Sequence, residues 1–162
     1  MRKNGSIFDV IFFVILLFAI GLVTIFGSVI FNHLNENIQS SALSDTSKTL
    51  LQGSYDRYAP VMDGAILTLM VLLTITVVVL SYLVDISSIF AALGLLLVGM
   101  FIFVSGILSN TFESFVQNGM ISDSAALFPN TLFIMSKLPL IVLGLGMVSL
   151  IVMYAKMRAV SI

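Results

Sequence analysis

The chain has no cysteine and no tryptophan, a single histidine, three prolines, and only 9% charged residues among its 162. Without cysteine there can be no disulfide, no Cys-based metal site and no thiolate nucleophile. A lone histidine (His33, with Glu36 three residues on) falls short of a metal ligand set, and no other histidine is present to serve a serine nucleophile as base. Lys48 and Lys137, which a Ser-Lys pair would need, lie in or beside polar segments, and no glycine-rich loop carries a P-loop lysine. The net charge of −1 gives no general attraction to nucleic acid, so no nucleic-acid partner is expected. No cofactor is implied, and no reaction is legible in the chain.

What the chain has in abundance is apolar sequence: 59% of residues are hydrophobic, and the mean hydropathy is +1.17. Soluble domains carry about 25% charged residues, so this composition is that of a membrane protein. From Ala65 to Leu108 the run is interrupted only by Val84-Asp85-Ile86-Ser87-Ser88. One helix of that length would measure about 66 Å, roughly twice the hydrocarbon core of a bilayer. A carboxylate at the bilayer centre would cost about 3 kcal/mol. Two spanning helices joined by a tight turn at Asp85 satisfy both constraints.

The expected fold is an all-α membrane protein forming one integral domain over residues 1–162, with four spans near 7–31, 65–83, 89–108 and 138–154. The first span follows Arg2 and Lys3 and is too long for the core of a cleaved signal, so it is expected to be retained as an anchor. The start of the fourth is open: Leu132 to Met135 is apolar too, which would move it back to near Thr131, with Lys137 reaching to the interface and Pro139 bending the first turn. Arg2, Lys3, Lys156 and Arg158 lie close to span ends, whereas Lys48, Arg57 and Lys137 are spread through longer acidic loops. The positive-inside rule therefore predicts cytoplasmic termini.

Both long loops carry helical patterns. Phe31, Leu34, Ile38 and Ala42 continue the first helix past the bilayer; Ser40 to Ser47 mark a break; Leu50, Leu51, Tyr55 and Tyr58 predict a second short amphipathic helix before Pro60. Asn110-Thr111-Phe112-Glu113 resembles a capping box and predicts a new helix with Phe112, Phe115 and Val116 on its apolar side. Amphipathic segments are thus expected within 32–61 and 110–137, their faces lying on headgroups or on each other, with Tyr55, Tyr58, Phe112 and Phe115 as the loop contact residues. Asp9, Asp63 and Asp85 are the only acids touching the spans, and all fall at span ends. Gly64-x-x-x-Thr68 and Ser105-x-x-x-Ser109 have the small-residue spacing that lets helices approach closely, so Gly64, Thr68, Ser105 and Ser109 are the expected helix-packing residues. Thr68, Thr74 and Thr76 do not share one face, which counts against a polar pathway.

Three strings in the second half add a resemblance: Ser109-Asn110-Thr111-Phe112-Glu113-Ser114-Phe115; Phe128-Pro129-Asn130-Thr131-Leu132-Phe133-Ile134-Met135 leading into Leu138-Pro139; and Ile151-Val152-Met153-Tyr154-Ala155-Lys156-Met157-Arg158. Across roughly residues 105–158 the chain resembles small multi-span membrane proteins of icosahedral viruses that hold a lipid membrane beneath the capsid. The resemblance implies a non-enzymatic virion component that packs laterally in the internal membrane, drawn from the host cytoplasmic membrane during assembly, and helps organise it or link it to the capsid. Its expected partners are the bilayer, copies of itself or other membrane proteins, and capsid protein. Two other classes compete: a holin-like or small channel protein, which needs a polar stripe along a helix, and an accessory subunit of a cellular membrane complex.

Overall fold

The computed structural model describes residues 7–83, 88–119 and 121–160, with side chains over 14–83, 94–119 and 121–156. Six helices appear in chain order: α1 (Ile7–Gln39), α2 (Asp45–Leu83), α3 (Ser88–Val116), α4 (Ser122–Ala125), α5 (Pro129–Ser136) and α6 (Leu138–Val160). There is no strand among the described residues. Helices α1, α2, α3 and α6 are each long and apolar enough to cross a bilayer, so the chain is a multi-pass integral membrane protein. The tight turn expected at Asp85 lies outside the described residues.

Helices α1 and α2, of 33 and 39 residues, measure about 50 and 58 Å and outrun any bilayer. They form an antiparallel hairpin whose distal part projects beyond the other spans. Asn35 Nδ2 donates to Gln52 Oε1 at 2.9 Å, and Gln39 Nε2 donates to the Lys48 carbonyl at 3.3 Å. This register sets Thr24 level with Asp63 and Phe26 level with Val61. The serine-rich break is where the sequence predicts it: Ser41 Oγ donates back to the Ile38 carbonyl, and the chain reverses before Asp45.

Two expectations need correction. The helix expected to end before Pro60 does not end; Pro60 sits inside α2, which runs unbroken into the second span. Proline removes one N–H, leaving the carbonyl four residues back without its helical partner. That carbonyl belongs to Asp56, and both residues lie on the exposed side of the hairpin, so the interruption is tolerated. Likewise Asn110 caps no new helix. The segment 110–116 is the tail of α3, where Thr111 Oγ1 donates to the Ile107 carbonyl at 2.8 Å in mid-helix fashion. No glycine or proline between Ile107 and Val116 interrupts it.

The fourth span is preceded by its own short helix. Helix α5 ends at Ser136 with Lys137 as its C-cap (φ −103°, ψ 12°), and α6 begins at Leu138 with Pro139 in its first turn. Lys156 Nζ reaches the Tyr82 carbonyl at 3.0 Å, tying the end of α6 to the end of α2. These two helices run parallel, and the start of α1 and the end of α6 share one end of the bundle.

Candidate functional site

Helix α5 starts with a problem that the rest of the chain solves. Its N-cap position is Phe128, whose side chain cannot accept a hydrogen bond, and Pro129 follows at N1. The N–H groups of Asn130 and Thr131 are therefore left without a local acceptor. The acceptor comes from α2. Asp63 Oδ2 takes the Asn130 backbone N–H at 3.1 Å and its Nδ2 at 2.9 Å. Asp63 Oδ1 takes the Thr131 backbone N–H and its Oγ1, each at 2.7 Å. The carboxylate is 3% exposed, so two oxygens meet four donors in a site nearly closed to solvent. It performs the work of an N-cap from a different helix, at the positive end of the α5 dipole.

The other end of α5 is tied as well. Ser109 Oγ on α3 donates to the Ser136 carbonyl at 3.0 Å, one of the last acceptors of the helix. This eight-residue helix is thus clamped to α2 by its first turn and to α3 by its last. Beneath it Phe128, Thr131 and Met135 are fully buried, and α1 approaches so closely that a Cβ at Gly21 would meet Met135 Cε at 2.8 Å. On the far side, α3 and α6 approach at Gly146, where a Cβ would lie 2.6 Å from Val98 Cγ1.

The residues singled out from the sequence fall into three groups. Ser105 and Ser109 share the buried side of α3; Ser105 Oγ donates to the Ile102 carbonyl at 2.9 Å. The loop aromatics turn inward against α1. Phe31 stacks with Tyr55 and Tyr58, at 6.0 and 5.7 Å between centroids, while Phe112 meets Phe18 edge-on and Phe115 packs on Phe26 at 4.7 Å. Gly64 and Thr68 are not brought to either cluster. Thr68 is exposed and donates to the Gly64 carbonyl, and a Cβ at Gly64 would meet nothing within 4 Å.

Other hydroxyls in the spans serve the helix backbone. Thr74 and Ser81 donate to the carbonyls four residues back, at 2.9 and 2.7 Å. Ser28 is an exception: the carbonyl it would use, that of Thr24, accepts Tyr58 Oη at 3.1 Å, and the Ser28 hydroxyl is buried with no partner. His33 and Glu36 approach to 3.7 Å on the open face of the hairpin. Among the described residues, no three His, Asp or Glu side chains gather closely enough to hold a metal ion.

Comparison with family models, curated proteins and solved structures finds no match. The central residue of the site, Asp63, is visible in the sequence only as an acid at a span end, Asn130 only as part of a string, and Thr131 as part of that string and as an alternative start of the fourth span. The signal for their union is a helix start, Phe-Pro-Asn-Thr, that lacks its own cap, together with a lone carboxylate in an apolar stretch.

Proposed function

We propose that this chain is a structural membrane protein, acting by packing and lipid organisation and not by catalysis. The observation that carries this reading is the use to which the bundle puts its polar groups. The buried carboxylate of Asp63 is fully engaged by four donors that fix α5, and the Ser109 hydroxyl fixes the other end of that helix. Groups committed in this way lend rigidity and a defined shape. A broad apolar exterior, including Leu72, Leu95, Phe103 and Ile151, suits repeated lateral contact with lipid and with neighbouring proteins.

The setting we propose is the internal membrane of an icosahedral virion, with the chain organising that membrane or linking it to the capsid. It is supported by the resemblance of residues 105–158 and by the rigid bundle. In this reading the termini are cytoplasmic during assembly, and the hairpin and the α4–α5 segment lie across the membrane.

Counting copies in purified membrane-bearing particles tests the proposal. Hundreds of copies per particle, recovered with the membrane after the capsid is stripped, is the expected result. Prompt collapse of membrane potential on expression in a bacterial host would replace it with a pore-forming role. Stable co-purification with a cellular complex in uninfected cells would replace it with an accessory-subunit role.

A further inference from the structure

The bundle's apolar exterior does not end at one height. On α2 the continuous run of exposed large apolar side chains begins at Val61; beyond it on the hairpin Leu50 is exposed, but it stands alone, separated from Val61 by exposed Gly53, Ser54, Asp56 and Arg57. On α3 they end at Ile107, followed by exposed Asn110, Thr111 and Glu113. On α1 they continue. Val23, Phe26, Ile30 and Leu34 recur at helical spacing on one outward stripe, and Ile30 and Leu34 are still 61% and 52% exposed. The stripe ends at Asn37, with His33 and Glu36 along one edge. Continuing the register of Asn35 with Gln52 puts Phe26 about level with Val61, so Leu34 stands eight residues, or about 12 Å, beyond the point where the continuous apolar face of α2 stops.

We propose that this α1 stripe is a lipid-contact surface as far as Leu34, which carries the apolar surface about 12 Å further toward the hairpin tip on the α1 flank than on the α2 flank. The occupant is lipid because the stripe is unbroken from the bilayer-spanning part of α1: Val23 and Phe26 belong to the same row as Ile30 and Leu34. An apolar edge of unequal height is accommodated by tilting the bundle toward α1 or by thickening the bilayer along that flank. The first reorients the protein and the second deforms the surrounding membrane, each in a direction set by the α1 flank. This inference needs only the spanning architecture and stands whether or not the chain is a virion component.

The absence of native cysteine makes the test direct. Full-length single-cysteine variants Leu34→Cys, Val23→Cys and Thr46→Cys are reconstituted in phosphatidylcholine vesicles containing brominated acyl chains and labelled with an environment-sensitive fluorophore. Thr46 is exposed at the hairpin tip and reports water. Label at Leu34 is expected to be quenched by bromolipid as it is at Val23, and Leu34→Cys to react several-fold more slowly than Thr46→Cys with a membrane-impermeant maleimide. Reaction at Leu34 as fast as at Thr46, with quenching by aqueous iodide, would overturn the proposal. Rapid disulfide dimerisation of Leu34→Cys on mild oxidation would overturn it too, assigning the stripe to a second copy of the chain.

Discussion

At Asp63, one side chain meets together two demands that a membrane protein usually meets separately. A carboxylate in or near hydrocarbon must be satisfied, and so must the first N–H groups of a helix; here each satisfies the other. Removing the carboxylate strands two backbone donors and two side-chain donors in a buried site. Asp63→Ala is therefore expected to destabilise the bundle by about 3 kcal/mol, read as a lowered midpoint of thermal unfolding in detergent. Asp63→Asn keeps the shape but turns an amide N–H₂ toward donors, so it should recover only part of the loss. Thr131→Val, which leaves the backbone bonds in place, should cost about 1 kcal/mol. An unchanged midpoint in Asp63→Ala would show that α5 holds its place without the cap.

Among the elements, the α1–α2 hairpin is set by one close approach. A Cβ at Gly27 would collide with the Tyr58 hydroxyl, while the next ring atom, Cζ, lies at 3.5 Å. Gly27→Ala is expected to destabilise the hairpin by about 1–3 kcal/mol. Combining it with Tyr58→Phe should recover much of that loss: the colliding oxygen is gone, and the vacated Thr24 carbonyl becomes available to the unpartnered Ser28 hydroxyl. A double-mutant cycle by thermal unfolding measures the coupling, and strict additivity would refute this account. The long helices were legible in the sequence because length and hydropathy are local properties, and the serine-rich reversal likewise. Pro60 and Asn110 misled because a helix breaker and a cap signal act only where the surrounding chain lets them. The tie between Asp63 and Thr131 spans 68 residues, and no local pattern encodes it.

For the molecule as a whole, the glycines separate contacts within one copy from surfaces left for others. Gly146 is closed by Val98, whereas Gly64 opens outward beside Thr68. Gly146→Ala is expected to loosen the packing of α3 on α6 and lower stability. Gly64→Ala should leave the isolated chain as stable or slightly more so, since alanine is favoured over glycine in a helix by up to about 1 kcal/mol. If copies meet at Gly64 and Thr68, self-association measured by energy transfer between labelled chains in vesicles falls in the same variant. Unchanged transfer would remove those residues from any interface between copies.

The pairing of Asp63 with Thr131 also orders events on the ribosome. The acceptor is synthesised 67 and 68 residues before its donors, an interval of roughly 3–14 s at ordinary elongation rates. For that time the nascent second span carries an unmatched carboxylate, to be kept hydrated or held by the insertion machinery, and α5 becomes a late-docking latch that can close only after the third span has been made.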